Sequence, residues 1–600
     1  MLEFLKFIYP YIKEHRKPFV LSSIFIIFGA CTQTAMPLYI QEVINNIIIQ
    51  KDSNQLYFAF FILIFIAILD YLASVGMRLF GVLYARNIIE SIRRNVFKKL
   101  HQQGMEYFSR ESTGQLLART MDDVYYLQDV LSWAWRIVGT IIAISTAIFI
   151  VMFLQSPFLA FIFSLTFPIL LYVLKRTTSN NASIFYDARY KFGDLADMMA
   201  ENLSGIKTIK SFGREDQQIR LFKQKNDAYI DKAMDQLFVR SYLQPGMITL
   251  FSCTVVTFLF FGGLFLQGTA ISVGTFIAFV YLILRLAQQM RFLGQIGIYT
   301  MIADSSTRRL NEILNYPLVI EDDSDAETMT EMNGLIEFKN VTFYYPETKY
   351  PALKNINLTL KPGEKVAILG PTGAGKTTLV NLIPRFYDPT EGEILIDGRN
   401  IKHLTRKSIR ERIQIVHQDN FLYTISLFEN ISFGKIDSNL EEVIEYAEAS
   451  QIHTFINSLD KKYQTVVGER GVTLSGGQRQ RTTIARGLIV RPKIIIFDDS
   501  VSAVDPETES KIQKTIAEID KDITLIIISQ RPSSLKYVDR IIVLDEGVVV
   551  QQGSHQELVK EETGIYKRFI NSVKTQVKFI NWDENVSDDE RLKPNIQLGD

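Results

Sequence analysis

The chain has 600 residues, a formal net charge of zero and only two cysteines. A neutral chain without a basic block that carries interleaved aromatic residues is not expected to bind nucleic acid. The cysteines, Cys31 and Cys253, lack metal-ligand spacing and do not suggest a metal centre. Long apolar runs fill the chain before about residue 310, and a mixed composition follows after about residue 330.

Six apolar stretches in the first half are long enough to cross a membrane, which takes about 20 residues in a helix. They lie at about 19–47, 56–85, 137–155, 157–176, 245–266 and 274–296. The segment before them, Met1–Lys17, has charged and aromatic residues at helical spacing, so we expect an amphipathic surface segment and no cleavable signal. Basic residues are concentrated in the two long connections, so the positive-inside rule predicts a multi-pass cell-membrane protein with both termini in the cytoplasm.

These two long connections keep a helical apolar period and are predicted to be membrane helices that continue into the cytoplasm and turn back. Gly114 lies near the first bend and Gly205 near the second. A glycine that only permits a turn is one interpretation of each position. The other, which we favour, is that both bends contact the C-terminal domain and couple it to the membrane helices.

The chain is predicted to have four parts: a transmembrane domain at 1–318, an acidic linker at 319–334, a soluble domain at 335–573 and a polar tail at 574–600. Alternating strand and helix patterns indicate an α/β core for the soluble domain. The predicted fold class is therefore a six-helix membrane domain with long cytoplasmic helical extensions, followed by an α/β domain.

A phosphate-binding loop opens the α/β domain, because Gly370–Thr378 reads GPTGAGKTT and fits the pattern G-x-x-x-x-G-K-[ST]. The glycines let backbone N–H groups approach the phosphates of a nucleoside triphosphate. Lys376 would reach the phosphate oxygens, and the Thr377 hydroxyl would bind Mg²⁺. A strand at Glu364–Leu369 and a helix starting at Thr377 are predicted on either side, as this loop requires.

Two further motifs follow: Leu474–Arg481 reads LSGGQRQR, and Lys493–Asp499 reads KIIIFDD. An apolar strand that ends in Asp498 would deliver a buried carboxylate to Mg²⁺. Together with the phosphate loop, these motifs resemble the ATP-binding cassette (ABC) domain, and the six preceding spans resemble the exporter subunits of that family. The resemblance covers about residues 5–570.

The resemblance implies roles for individual positions. Tyr345 matches the aromatic residue that stacks on adenine, although it could also be a packing residue of its strand. Gln418 matches the glutamine that senses Mg²⁺ and the attacking water, and Glu469 matches a short acidic loop that contacts the membrane helices. The implied nucleotide-binding set is Tyr345, Gly370, Thr372, Gly373, Gly375, Lys376, Thr377, Thr378, Ser475, Gly476, Gly477, Gln478, Asp498 and Asp505. The implied Mg²⁺ ligands are Thr377, Gln418 and Asp498.

In this family two such domains enclose two ATP molecules, and the Ser475–Gly477 segment of one domain meets ATP held by the other. Two positions of this chain depart from the family pattern. Asp499 replaces the glutamate that activates water, and Gln530 replaces the histidine that contacts the γ-phosphate. Of the implied catalytic residues Asp499, Gln530 and Gln418, the first two predict slow hydrolysis at the site that contains Lys376.

The resemblance therefore implies an ATP-hydrolysing exporter subunit that pairs with a second half-transporter in which the glutamate and histidine are intact. The expected cargo is amphipathic drugs or lipid-like compounds, moved by alternating access. A homodimer with slow ATPase activity and a membrane sensor or gate controlled by ATP remain alternatives. Charged residues inside predicted spans, Asp70 and Arg285, are candidates for cargo binding or for pairing with each other, and Gln288 and Gln289 could line the same cavity.

Overall fold

The computed structural model describes most of the chain, which divides into two compact units. One unit comprises residues 1–102 and 111–317, and the other comprises residues 103–110 and 318–600. The described residues are 2–49, 53–267, 271–290, 293–468, 471, 473–498, 507–508, 511–512, 514–515, 522–529, 531, 535, 538–561 and 564–576.

Helices account for the regular structure described before residue 318, as expected where a membrane offers the backbone no water to bond. They are α1 Leu2–Glu14, α2 Arg16–Glu42, α3 Ser53–Gln102, α4 Met105–Arg110, α5 Thr113–Ala118, α6 Val124–Asp129, α7 Trp135–Gln155, α8 Pro157–Ser204, α9 Ile206–Ser211, α10 Glu215–Gln267, α11 Val273–Met290 and α12 Leu293–Asn315. Single π-helical turns at Val43–Ile48, Arg119–Asp123 and Val130–Ala134 continue α2, join α5 to α6 and join α6 to α7.

Several of these helices have the length and composition of membrane spans. Within the described residues, three helices are long and apolar enough to cross a membrane, Arg16–Ile48, Gln55–Gln102 and Thr113–Gln155. Shorter apolar helices cover Ser252–Leu266 and Val273–Leu286. The six predicted spans fall on helical residues wherever the structure describes them, and α3, α8 and α10 run well beyond the predicted ends.

Two apolar clusters hold the first unit together. One joins α7, α10 and α11 and includes the fully buried side chains of Ile144, Phe258 and Phe279. The other joins α1, α3, α6 and α12 and includes Ile88 and Leu127. The packing of α12 onto α3 and α6 places the last helix of this unit beside the π-helical turn at 119–123.

An ion pair between Asp123 and Arg309 fixes the contact of α12 with the π-helical turn at 119–123. Asp123, at the end of the π-helical turn, is 5% exposed and accepts a 2.7 Å hydrogen bond from Arg309 Nε of α12. The Ser306 hydroxyl donates a 2.9 Å bond to the same carboxylate. One turn earlier, Arg119 lies 3.6 Å from Glu312 of α12. Opposite charges on the π-helical turn and on α12 therefore stabilise one register between these two elements.

The second unit is an α/β domain. Its strands are β1 Ile336–Phe343, β2 Leu353–Leu360, β3 Lys365–Leu369, β4 Glu391–Ile396, β5 Arg399–Asn400, β6 Ile413–Val416, β7 Ile494–Asp498, β8 Thr524–Ile528, β9 Arg540–Asp545 and β10 Val548–Gly553. Its helices include α13 Lys376–Leu382, α14 Arg406–Arg412, α15 Leu427–Ser432, α16 Leu440–Ala449, α17 His453–Asn457, α18 Gly476–Leu488, His555–Lys560 and Ile565–Gln576, with 3₁₀ turns at Ile401–His403 and Lys462–Gln464.

The strands form two sheets. The larger has the order β10-β9-β3-β8-β7-β6 and is parallel except for the pairing of β10 with β9. The smaller is antiparallel and has the order β2-β1-β4-β5. Strands β7 and β8 are fully buried, which explains their unbroken apolar runs, because a parallel sheet is covered on both faces. The predicted fold class is confirmed by these helical and α/β parts.

The acidic linker packs on the second unit instead of standing apart from it. Arg385, only 3% exposed, donates to the Glu321 carbonyl at 3.2 Å, and Arg406 Nε donates to Asp322 at 3.0 Å. Met329 and Met332 are buried in the apolar core of the domain. Residues 318–334 therefore group with the second compact unit, because Arg385 and Arg406 contact the linker backbone and carboxylates.

Candidate nucleotide-binding site

The phosphate loop connects β3 to α13 and needs glycine at positions with unusual backbone angles. Gly370 has φ +152°, and a Cβ atom there would lie 2.2 Å from the Leu544 carbonyl oxygen. Gly375 has φ +93° and precedes α13, and a Cβ atom there would lie 2.6 Å from the Ala352 carbonyl oxygen. At Gly373, φ is +85° and no atom lies within 4 Å of an added Cβ atom. The loop therefore leaves open space beside Gly373.

Lysine and hydroxyl groups face this loop. Lys376 Nζ donates hydrogen bonds to the carbonyl oxygens of Gly370 at 2.9 Å and Pro371 at 2.8 Å, so its ammonium group lies across the loop. Thr377 Oγ1 lies 3.1 Å from Asp498 Oδ1 at the end of β7. The sheet order brings them together, since β3 and β7 both border β8 and their carboxyl ends share one edge.

The Thr377–Asp498 pair suits a hard divalent cation. Asp498 is 7% exposed, and a carboxylate and a hydroxyl oxygen are the ligand types that Mg²⁺ takes in phosphate sites. Gln418, the third predicted ligand, has an exposed side chain just beyond β6. The donor set therefore fits a Mg²⁺ ion that also binds phosphate oxygens.

Aromatic residues gather at one side of α13. The Tyr345 hydroxyl lies 3.1 Å from Thr378 Oγ1. Its ring packs edge-on against Phe343 and Tyr387, with centroids 5.0 and 5.5 Å away. Burial, with the nearby Tyr345 and Glu106, raises the pKa of the Tyr387 hydroxyl. Tyr345 is only half-buried, so part of it can receive a flat base while Phe343 and Tyr387 fix its position.

The signature segment is the start of α18. Ser475 Oγ accepts a 3.3 Å hydrogen bond from the Gln478 amide, and the Gln478 side chain accepts a 2.8 Å bond from the Ser475 amide. This capping box anchors the first turn, in which Gly476 and Gly477 have no side chains to shield their amide groups. Neutral caps of this kind leave a helix N-terminus able to meet an anion.

One half-buried arginine that the sequence analysis did not identify, Arg486, connects α18 to the segment after Gln418. Arg486 donates to the carbonyl oxygens of Asn430 at 2.7 Å and Phe421 at 2.9 Å, and to Asn430 Oδ1 at 2.7 Å. Thr483 adds a 2.8 Å bond to Asn420. Burial lowers the pKa of Arg486. A lone arginine in a helix offers no sequence signal for such a role, because two of its three acceptors are backbone carbonyls.

Four predicted positions lie outside the described residues: Glu469, Asp499, Asp505 and Gln530. Their roles remain predictions from the sequence. The remaining nucleotide-binding positions lie in the phosphate loop, at the ends of β1 and β7 and in the first turn of α18.

The two bends differ in their surroundings. The short helix α4, just before Gly114, groups with the second unit, where Arg110 Nη1 lies 3.6 Å from Glu347 and Tyr107 is buried. Gly114 itself is exposed at the start of α5. Gly205 joins α8 to α9, a helix that buries no residue within the described chain.

Charged residues inside the predicted spans do meet. Arg285 Nη2 of α11 lies 3.5 Å from Asp70 Oδ2 of α3. The Thr32 hydroxyl donates to Asp70 Oδ1 at 3.3 Å. Gln288, almost one turn beyond Arg285, is exposed, and Gln289 follows it in the same helix. The geometry supports pairing of the two charges, which was one of the two predicted roles.

Comparisons with known proteins agree on one family. A model of the ABC transporter transmembrane region matches residues 19–290, and a model of the ABC transporter domain matches residues 353–502. The ABC transporter ATP-binding protein YknU of Bacillus subtilis (strain 168) is 32% identical over 97% of this chain and 99% of its own length. The ATP-dependent lipid A-core flippase of Desulfotalea psychrophila is 31% identical over 95% of this chain and 99% of its own. A solved bacterial Atm1-family ABC exporter with ATP bound is 25% identical, with a TM-score of 0.81 over 93% of this chain and 98% of that one.

Proposed function

This chain belongs to the ABC transporter family, and we propose that it is one subunit of a heterodimeric exporter with one degenerate and one competent ATP site. Its membrane domain lies in the cell membrane and its nucleotide-binding domain in the cytoplasm. ATP binding brings the two nucleotide-binding domains together, and the bends near α4 and α9 pass that motion to the membrane helices.

The observation that carries ATP-driven export is the assembled phosphate and metal site. Lys376 lies across the phosphate loop, and Thr377 lies 3.1 Å from the buried carboxylate of Asp498. Bound Mg²⁺ supplies neutralising charge to the β- and γ-phosphate oxygens. In this chain Thr377, Asp498 and Gln418 would hold it, Lys376 would bind the phosphates, and Tyr345 would fix the base.

Slow hydrolysis at this site follows from the residues after the strand. Asp499 is one methylene shorter than glutamate, so its carboxylate would lie on the order of 1 Å from the position that activates water, and such an error can cost about 100-fold in rate. Gln530 can donate a hydrogen bond to a phosphate oxygen but cannot carry a proton. The signature segment, in contrast, is complete at Ser475–Gly477.

A subunit with a complete signature segment and a degenerate phosphate-loop site can complete the competent ATP site of a different partner. The exposed second bend supports the need for a second chain, because Ile206 and Phe212 are 44% and 74% exposed at α9. A homodimer in which Asp499 suffices is the second candidate. An ATP-controlled sensor or gate is the third, and transport against a gradient would separate it from a pump.

ATPase activity tests the proposal. We expect negligible activity from the purified chain alone and clear activity when it is co-expressed with the transporter subunit encoded beside it. Substituting Ser475→Ala with Gly477→Asp in this chain should abolish the activity of the pair. Substituting Asp499→Glu with Gln530→His should instead create activity in the chain alone. Robust activity of the unmodified chain alone would contradict the heterodimer and favour a homodimer.

Amphipathic or lipid-like compounds are the proposed cargo, and the relationship to a lipid flippase supports it. We propose that the Asp70–Arg285 pair holds α3 and α11 in register rather than binding a cation, since each charge already has a partner 3.5 Å away. Asp70→Asn should then impair export of cationic and neutral dyes equally. A selective loss for cationic dyes would instead assign Asp70 to the cargo.

A further inference from the structure

Two arginines of the membrane unit lie at similar levels of two packed helices. Arg78 follows Met77 in α3, and Arg136 lies one turn before Thr140 in α7. The Thr140 hydroxyl donates a 3.4 Å hydrogen bond to the Met77 sulfur, which fixes the two helices at this level. Gly81, almost one turn beyond Arg78, lets α3 approach the Ser132 carbonyl of the turn before α7. Both arginines are thus on adjacent turns of packed helices.

Neither guanidinium group has a counter-charge in the part of the chain that the structure describes. Arg136 lies close enough to Arg78 for the two positive charges to repel one another. Arg78 is exposed and Arg136 is half-buried. Two other arginines of the same unit are paired, Arg285 with Asp70 and Arg309 with Asp123. Two adjacent and unpaired positive charges indicate a place for an anion.

The position of the two arginines across the membrane indicates which kind of anion they bind. The stretch of α3 from Leu56 to Met77 contains one charged residue, Asp70, and spans about 33 Å at 1.5 Å per residue, close to the thickness of a hydrocarbon core. Arg78 directly follows it, inside the predicted span 56–85 but near the cytoplasmic end of that span. Arg136 directly precedes the uncharged stretch 137–155 of α7. Both arginines therefore border the hydrocarbon core at the same end, which the proposed orientation makes the inner leaflet.

We propose that Arg78 and Arg136 together bind the phosphate of an anionic phospholipid at the inner face of the membrane. A guanidinium group offers a planar fork that matches phosphate oxygens, and basic pockets between membrane helices on the cytoplasmic side bind anionic head groups. One phosphate would cancel the repulsion between the two charges. Leu72 and Val75, 52% and 43% exposed on α3, lie on the hydrocarbon side of Arg78, where acyl chains would run.

Binding of defined lipids to the full chain tests this site. The probe is an equal mixture of dioleoylphosphatidylglycerol and dioleoylphosphatidylcholine, and native mass spectrometry counts the molecules of each that stay bound. We expect the wild type to retain phosphatidylglycerol preferentially. The double variant Arg78→Gln/Arg136→Gln should weaken this preference about 30-fold, because two basic side chains no longer attract the anionic lipid.

A matched control removes the same charge elsewhere on the same helix. Arg86 and Arg93 are exposed residues of α3, and Arg86 lies about 12 Å along the helix from Arg78. Arg86→Gln/Arg93→Gln should keep the lipid preference. If the first double variant does not fold, Arg78→Lys/Arg136→Lys keeps the charge but loses the planar forks and should still reduce the preference several-fold. Unchanged preference in the arginine variants, or an equal loss in the control, would overturn the proposal.

A second readout identifies the role of the bound lipid. In vesicles of the same composition, ATP-dependent movement of labelled phosphatidylglycerol would make the lipid a cargo. Binding without movement would make it a resident lipid, and both outcomes support the site. The binding assay does not require ATP hydrolysis, so its result tests the lipid site even if the chain is not an exporter.

Discussion

Substituting Arg309→Ala should destabilise the membrane unit through the carboxylate that it leaves behind. Arg309 reaches Asp123 with two N–H donors, and Asp123 is 5% exposed. After the substitution, the Ser306 hydroxyl at 2.9 Å would be the described donor left on that carboxylate. The buried negative charge would then lack its compensating cation.

The expected size of the effect follows from this burial. Removing one partner of a buried ion pair costs about 3–5 kcal/mol, and the lower end applies because the Arg309 side chain is 37% exposed. With a few degrees of unfolding temperature per kcal/mol, the loss amounts to on the order of 5–10 °C. The double variant Asp123→Ala/Arg309→Ala should recover part of it, since no charge remains buried.

Thermal unfolding of the detergent-purified chain, followed by size-exclusion chromatography at each temperature, measures this loss. The matched control is Arg308→Ala, because Arg308 is 64% exposed and pairs with Glu3, which is 58% exposed. An exposed pair contributes at most about 1 kcal/mol, so this variant should unfold within about 2 °C of the wild type. Equal shifts in unfolding temperature for Arg309→Ala and Arg308→Ala would contradict the prediction. A double variant Asp123→Ala/Arg309→Ala as unstable as Arg309→Ala would contradict it as well.

Two further predictions concern the nucleotide-binding domain. Gly370→Ala should lower the unfolding temperature of the nucleotide-free chain, because its Cβ atom would meet the Leu544 carbonyl at 2.2 Å, and overpacking costs about 1–3 kcal/mol. Gly373→Ala, which meets no atom within 4 Å, should leave that temperature closer to wild type while still weakening binding of a fluorescent ATP analogue; the reverse order would contradict the loop geometry. Arg385→Ala should expose the linker to limited proteolysis and lower stability by about 3 kcal/mol, since its buried guanidinium holds Asp388 and two carbonyl groups. The control is Arg399→Ala, because Arg399 is 55% exposed and its loss should change stability by at most about 1 kcal/mol. Equal cleavage of the linker in both variants would contradict the proposed role of Arg385.

Much of the fold could be predicted from the sequence because its signals are local. Apolar runs of about 20 residues set the membrane helices, and the strand before the phosphate loop, observed at Lys365–Leu369, differs from its predicted start by one residue. Boundaries that depend on distant partners were less predictable. The linker joins the second unit because Arg385 and Arg406, more than 60 residues away, hold its acidic residues.

The same division holds for the nucleotide site. Residue types at fixed spacing predict Lys376, Thr377 and Asp498 as ligands, because phosphate and Mg²⁺ accept few chemical alternatives, and in the structure Thr377 lies 3.1 Å from Asp498. The role of Arg486 could not be predicted, because two of its three acceptors are backbone carbonyl oxygens of residues 421 and 430, which carry no sequence signal. Our proposal that Asp499 and Gln530 slow hydrolysis at this site remains a prediction, which the ATPase measurement tests.

The sequence by itself determined that the chain crosses a membrane and carries a phosphate loop with a nucleotide signature, because short-range pattern and composition encode both. Only the tertiary structure decided which charges meet. Asp70 and Arg285 are 215 positions apart and could each have faced cargo, yet the packing of both α3 and α11 on α2 places them 3.5 Å from one another. Arg78 and Arg136 are brought together on packed helices without an acidic partner among the described residues. A sequence fixes which charges exist, whereas long-range packing decides whether each one is neutralised inside the protein or left to bind something else.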